Sequence, residues 1–538
     1  MNTKKQQYIL PYLLAGSFLT GLTLVFPKIG FLEWLTMIPL FIGVMRMGDA
    51  PNYRLAKAYW SGFLTVLCFY LVNYHWFTAL YPLDFISMTP AESLVVVVAG
   101  WVGLSLLQAI PGGLIFLLFK LLHRTTLFRR VPLVRPFIFS ALWIVFEWSS
   151  TLTWTGVPWG RLCLGQSEYL PILQSASLFG SYFVSFLLLA VNGLLAYAIL
   201  SRTVMRRALI CTSVALSLVI GNLMIGLFLQ NIRPKPAQTL RVAVAQGNVN
   251  SHEKWGANSY RISRETYEDL TRKAADAGAE LVVWPETAFP NNLNEDEDLQ
   301  EFVSELARDC KVSLMVGALY TDEETGDGYN VLYFVTDDGV ILEDTYAKRH
   351  LVPFGEYVPM QELIEIILPP LAELSALGND LEAGTDTALF DTEWGKLGSL
   401  ICFDSIYEML TVDSVRDGAE LMILSSNDSW FYDSAAIYQH EAQAKLRAIE
   451  VGRYMVRSGN TGISSIVTDK GEHLAWIDPL ERGYAVADVE THTYRTLYSI
   501  IGNLFVYLCI GFVGGAFATE LYWRKKRKQG EQDLTFTA

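Results

Sequence analysis

The sequence predicts a membrane α-helical bundle of about eight spans that carries one α/β sandwich domain. Three observations lead there. Apolar residues make up 51% of the 538 and charged ones only 18%, and the apolar residues cluster in long runs rather than spreading evenly. Charge divides along the chain: residues 241–496 hold 46 Asp and Glu against 19 Lys and Arg, whereas the two flanks hold 9 against 22. From Leu240 onward, short apolar strands alternate with amphipathic helical stretches, the pattern of a sheet covered by helices. Such a composition excludes a disordered or fibrous chain, and the net charge of −14 argues against nucleic-acid binding.

Eight stretches approach the roughly 20 apolar residues that cross a bilayer as helix: 8–26, 30–47, 58–81, 92–119, 136–150, 169–200, 208–230 and 497–523. The first is not expected to be a cleaved signal peptide, because the apolar hairpin continues directly past Lys28 without a convincing small-residue cleavage site. Eighteen of the 22 flank cations fall on one side of this arrangement, among them Lys4, Arg46, Lys120, Arg135, Arg206 and Arg524. Lys28, Arg161, Arg233 and Lys235 fall on the other. Positive loops stay cytoplasmic, so both termini are expected inside and the acidic block outside. The expected domains are 1–230 (seven spans), 231–496 (extracytoplasmic), 497–523 (a last span) and 524–538 (a basic tail). Glu147, within an apolar span, is a candidate for function or for an interfacial position.

In the acidic block, strands are expected at 240–246, 281–284, 313–319, 331–336, 396–402, 421–425, 463–468 and 484–488. Helices are expected near 260–277, 298–310, 407–417 and 435–451. An internal echo appears. Gly278-Ala279-Glu280-Leu281 leads through a short strand to Pro285-Glu286, and Gly418-Ala419-Glu420-Leu421 leads through another to Asn427-Asp428. The echo suggests two similar halves in an α-β-β-α sandwich, with chemistry at the C-terminal strand ends.

Three strand ends carry reactive groups. Trp284-Pro285-Glu286-Thr287 offers a carboxylate. The run Tyr346 to Pro359 offers Lys348 and a second carboxylate, Glu356. Leu400-Ile401-Cys402-Phe403-Asp404 offers a thiol. A thiolate is a strong nucleophile that needs a base to form at neutral pH. A partly buried carboxylate can be that base, and a lysine ammonium can stabilise an oxyanion.

With these residues in this order, block 240–490 resembles the nitrilase (carbon–nitrogen hydrolase) superfamily. The whole chain resembles its membrane branch, the apolipoprotein N-acyltransferases. The motifs are Val244-Ala245-Gln246-Gly247-Asn248 with Trp255, Trp284 to Thr287, Lys348 to Pro359, Cys402, Ser426 to Phe431 and Arg457 to Gly462. Gly156-Val157-Pro158-Trp159 matches in the membrane half. The resemblance implies a nitrilase-like fold with Glu286 as general base, Lys348 as oxyanion donor and Cys402 as nucleophile. Glu356 and Trp255 match supporting positions, and Asp404, Trp430 and Phe431 are expected to support the site or face substrate. Where the family often reads Cys-Tyr-Glu, this chain reads Cys402-Phe403-Asp404, which removes a phenol hydroxyl and shortens the acid.

The implied reaction passes an acyl chain from a phospholipid, through a Cys402 thioester, to the free α-amine of a lipidated N-terminal cysteine on an apolipoprotein. The implied setting is a bacterial inner membrane with the catalytic domain in the periplasm. Two alternatives stay open: a membrane-anchored amidase with the same triad, and a receptor or transporter that uses the fold for binding. No metal-ligand spacing and no Gly-rich phosphate loop is present, so no cofactor or metal is expected. The apolar stretch from Leu363 to Leu377, within 359–384, reads equally as a helix packed on the core or as a mobile arm on the outer leaflet.

Overall fold

The computed structural model describes residues 8–83, 88–250, 254, 256, 258–361 and 380–535. Trp255 and the Leu363–Leu377 stretch therefore lie outside the described residues. The chain forms two compact units. One comprises Met1–His75, Ala99–Leu229 and Ile501–Ala538, and the other comprises Trp76–Val98 and Gln230–Ile500. The Trp76–Val98 excursion thus groups with the second unit rather than with the 1–230 block.

A helix lies in each of the eight expected spans. They are α1 (Ile9–Val25), α2 (Ile38–Asp49, entered through a 3-10 turn at Pro27–Leu32), α3 (Leu55–Asn73), α4 (Pro90–His123), α5 (Val134–Ser149), α6 (Ser181–Leu200), α7 (Met205–Gln230) and the C-terminal α12 (Leu504–Thr535). Among the described residues, six apolar stretches are long enough to cross a membrane: Pro27–Asp49, Leu55–Asn73, Pro90–His123, Ser181–Leu200, Met205–Gln230 and Leu504–Trp523. This is a multi-pass membrane protein. α1 and α5 are shorter, at 17 and 16 residues. Two expected spans are interrupted. The 169–200 run breaks into Leu170–Leu173, Ala176–Phe179 and α6, with Gly180 at φ +79°. The last run breaks at Gly502, φ +56°. A left-handed glycine ends a helix because the next amide can no longer reach its helical acceptor.

Several expected inside positions meet at one end of the first unit. Lys120 Nζ donates to the carbonyls of Met47, Gly48 and Ala50, closing the C-terminus of α2. His123 and Arg135 both pair with Asp49. Arg46 lies over the Tyr12 ring, and Arg130 lies 4.0 Å over Trp523. The start of α1, the 46–50 turn, the 120–135 loop and the end of the last apolar run therefore lie close together at one end of this unit. Glu147 is buried in α5 and accepts from Trp143 Nε1 and from the Leu162 backbone amide. It anchors the turn that follows Gly156-Val157-Pro158-Trp159.

The second unit holds two six-stranded sheets, ordered β12-β1-β2-β3-β4-β5 and β11-β10-β9-β8-β7-β6. The strands are β1 (Thr239–Gln246), β2 (Leu281–Val283), β3 (Ser313–Thr321), β4 (Gly328–Val335), β5 (Ile341–Ala347), β6 (Phe390–Thr392), β7 (Gly395–Ile401), β8 (Leu421–Ser426), β9 (Met455–Gly459), β10 (Ser464–Val467), β11 (His473–Ile477) and β12 (Gly483–Glu490). The helices are α8 (Ser259–Asp276), α9 (Glu297–Cys310), α10 (Glu408–Asp417) and α11 (Ala435–Val451). The sequence reading missed β5, β6, β9 and β11. β5 exposes Glu343 and Asp344 in the middle of its length, β6 has only three residues, and β11 is a short apolar run of five that is mostly exposed.

Strand periodicity sorts side chains into layers. Val242, Val244, Leu281 and Val283 meet Leu397, Ile401, Leu421 and Ile423 between the sheets. Their neighbours Ala243, Ala245, Val282 and Trp284 pack instead against Tyr267 and Leu270 of α8 and Phe302 of α9. Burying such aliphatic side chains stabilises by roughly 1.5–3 kcal/mol each. The echo is structural. Gly278 and Gly418 both end a helix at positive φ, +84° and +116°. Ala279 and Ala419 each donate back five residues, to Ala274 and Ser414. Each segment then enters a parallel strand beside its sheet's first long strand, with Leu281 opposite Val242 and Leu421 opposite Leu397.

Candidate active site

Glu286, Lys348 and Cys402 leave the C-terminal ends of β2, β5 and β7. Parallel pairing brings β2 beside β3, and the β3–β4–β5 meander carries Lys348 back over Glu286. Lys348 Nζ lies 2.8 Å from Glu286 Oε1 and 2.9 Å from Glu356 Oε1, and it is 2% exposed. Burial alone would lower its pKa, but the two carboxylates outweigh that and hold it well above the ordinary lysine value. Lys348 is therefore an ammonium throughout the neutral range. Glu356 is fixed in turn, because its Oε2 accepts the Val352 amide of its own loop at 2.9 Å.

Asn330, in the middle of β4, completes this cluster. Its Nδ2 donates to Glu286 Oε1 at 2.8 Å and to Glu356 Oε1 at 3.1 Å. The available signal was a carboxamide inside the apolar strand Gly328–Val335. A second lysine was also missed. Lys254 is buried and donates to the Glu286 carbonyl at 3.0 Å and to the Thr287 hydroxyl. Thr287 itself sits at φ +44°. Burial, helped by Lys348, lowers the Lys254 pKa to about 8 against the pull of Glu286 and Cys402.

Cys402 opens a 3-10 turn, Cys402–Ile406, directly after β7, with φ +49°. A non-glycine residue in the left-handed region stores strain of order 1–3 kcal/mol and persists only where surrounding bonds over-determine it. Burial pushes the Cys402 thiol up, Glu286 adds to that, and Lys348 opposes it. At rest Cys402 is thus a protonated thiol.

Asp404 ties the turn to the lysine loop. Its Oδ2 accepts from Ile401 N and from Tyr346 OH, and its Oδ1 accepts from His350 N at 2.8 Å. Burial raises its pKa to about 6 despite Lys348 and these bonds. Its shorter side chain reaches all three donors, while Phe403 is buried against Tyr407. Phe431 stacks edge-on against Trp76, and Trp430 is half-buried.

The glycine- and asparagine-rich motifs form the floor. Asn460 Nδ2 donates to the Val249 carbonyl, and its Oδ1 accepts from Val249 N. A side chain at Gly462 would collide with Asp428 Oδ2. Arg457 Nη2 holds Asp428 at 2.6 Å, and Asp428 holds His440 Nδ1 at 2.9 Å. Cys402, Asp428 and His440 place one donor atom each within 4.8 Å of one another. They do not fit a metal ion, because Arg457 already neutralises Asp428 and both His440 ring nitrogens face protein acceptors.

A family model for carbon-nitrogen hydrolases matches residues 241–498, and one for the apolipoprotein N-acyltransferase N-terminal domain matches residues 16–194. An apolipoprotein N-acyltransferase of Geobacter metallireducens is 31% identical over 96% of both chains. This chain belongs to the apolipoprotein N-acyltransferase family. Further apolipoprotein N-acyltransferases, from Gloeobacter violaceus and Methylococcus capsulatus, are 30% and 33% identical. They cover 90% and 71% of this chain, and 89% and 73% of their own lengths. Among solved structures, Saccharomyces cerevisiae Nit3, of the nitrilase superfamily, aligns with a TM-score of 0.37 at 20% identity, over 50% of this chain and 96% of that one. For an apolipoprotein N-acyltransferase, the arrangement around Cys402 offers two buried carboxylates, a buried lysine ammonium and a thiol in a left-handed turn.

Proposed function

We propose that this protein transfers an acyl chain from a membrane phospholipid to the free α-amine of the lipidated N-terminal cysteine of apolipoproteins. The observation that carries the mechanism is the buried Lys348 ammonium held between Glu286 and Glu356 beside a left-handed Cys402. The described contacts of the Glu286 side chain all use Oε1, which leaves Oε2 for the thiol proton.

In the first half-reaction Glu286 takes that proton and Sγ attacks the ester carbonyl carbon. Lys348 stabilises the oxyanion, an effect worth on the order of a hundredfold or more in rate. The intermediate collapses, the C–O bond breaks, and Glu286 returns the proton to the departing lysophospholipid oxygen. In the second, the α-amine attacks the thioester and Glu286 takes a proton from nitrogen. The C–S bond then breaks to give the amide, and the proton returns to Sγ. The scheme is ping-pong and regenerates the enzyme. We place the protein in a bacterial inner membrane with residues 231–496 in the periplasm, on the cation split.

The test is incubation with acyl-labelled phospholipid. A hydroxylamine-sensitive label on Cys402 should form and then move to a diacylglyceryl lipopeptide with a free amine, but not to its N-acetylated form. Cys402→Ala should form none, and Lys348→Ala only a slow trace. Label released to water regardless of the amine would favour the amidase alternative. Transfer by Cys402→Ala would sink the proposed nucleophile.

A further inference from the structure

Beneath the nucleophile runs a second buried polar chain. Arg457 on β9, Asp428 after β8 and His440 on α11 are each at most 1% exposed. Arg457 Nη2 meets Asp428 Oδ2 at 2.6 Å, and Asp428 Oδ1 meets His440 Nδ1 at 2.9 Å. His440 Nε2 then reaches the backbone carbonyl of Cys402 at 3.0 Å. Ser405 Oγ lies 3.0 Å from the same nitrogen and donates to the same carbonyl at 2.8 Å. Burial works against ionised Asp428, but Arg457 and His440 outweigh it and keep the carboxylate charged.

An ionised carboxylate and a peptide carbonyl only accept hydrogen bonds. A hydrogen on Nε2 makes the bond to that carbonyl, while Nδ1 faces Asp428 Oδ1 and lies 3.2 Å from Arg457 Nη2. The ring thereby holds the backbone of Cys402. That carbonyl belongs to the residue at φ +49°, a conformation which needs outside support.

We infer that His440 is a positioning residue for acyl transfer, which holds the Cys402 peptide in its left-handed turn and so aims Sγ between Glu286 and Lys348. Asp428 and Arg457 orient the ring. This deepens the function proposed above and rests on Cys402 being the acylated group. Misplacing a reacting atom by about 1 Å costs on the order of a hundredfold in rate. The Cys402 carbonyl is the link that matters, so the two amide mimics of histidine separate. Glutamine puts its nitrogen near Nε2 and keeps that link. Asparagine reproduces Nδ1 and keeps only the bond to Asp428.

The experiment measures single-turnover acyl-enzyme formation, alkylation of Cys402 by iodoacetamide (read by mass spectrometry) and melting temperature in full-length His440→Gln, His440→Asn and His440→Ala. Asn and Ala should slow acyl-enzyme formation by about a hundredfold with little change in KM for phospholipid. Gln should retain most of the rate, and alkylation should follow the same order. The inference is overturned if Asn equals or exceeds Gln, if rates merely track melting temperature, or if all three variants fail to fold. Should the wild type form no acyl-enzyme while alkylation keeps the Gln-over-Asn order, the acyl-transfer reading fails and the positioning role stands.

Discussion

At Asn330 one side-chain amide touches both carboxylates that flank Lys348, so the charge balance of the site passes through a neutral residue. Replacing it with Ala removes hydrogen bonds to charged acceptors, each worth about 1.5–3 kcal/mol. Asn330→Asp adds a third anion beside Glu286 and Glu356 and should be slower than Asn330→Ala in single-turnover acylation. Lys254 makes a pH-dependent prediction. Its pKa in the folded protein lies near 8, below the ordinary lysine value of about 10.4. Its ammonium, which supports the Glu286–Thr287 backbone, is therefore lost as pH rises through about 8, and acyl-enzyme formation should fall there. Stability should move the other way. Between the two pKa values the unfolded chain binds more protons, so the Lys254 contribution to stability rises with pH. In Lys254→Met, a rate profile without the limb near 8 is expected. A limb that persists unchanged would remove Lys254 from the argument.

The echoed helix-to-strand units were readable as elements because the Gly-Ala-Glu-Leu spelling encodes geometry. The glycine supplies the positive φ that ends the helix, and the glutamate begins the strand: Glu280 N donates to Arg241 O, and Glu420 N donates to Lys396 O. Gly418→Ala and Gly278→Ala should each destabilise by about 1–3 kcal/mol, read as a lower melting temperature with the acylation rate of the folded fraction unchanged. A loss in only one of them would break the equivalence of the halves. The element-scale misses have the same cause in reverse. β5 carries Glu343 and Asp344 exposed, so its sequence advertises no buried face, yet its last residues place Lys348.

For the whole molecule, the cation split predicts that both termini and the 120–135 loop are cytoplasmic. Arg130 over Trp523 and Lys120 on the end of α2 place the 120–135 loop with the C-terminal tail. In a background without the six native cysteines, Leu127→Cys should be labelled only from the cytoplasmic side and Thr325→Cys only from the periplasmic side. Periplasmic labelling at 127 would invert the assignment.

The sequence by itself determined the membrane class, the two-sheet α/β domain and the candidate triad residues. Those properties are local. Span length, strand alternation and a reactive group after an apolar strand are each written within a dozen residues. Only the tertiary structure decided what supports the triad. Asn330 sits within β4, Lys254 between β1 and α8 in the chain, and His440 on α11, in stretches whose local patterns read as ordinary packing or solvent-facing surface. Their roles arise because strands far apart in sequence end at one place, where burial strips water from their polar groups. Each donor must then find its acceptor within the protein.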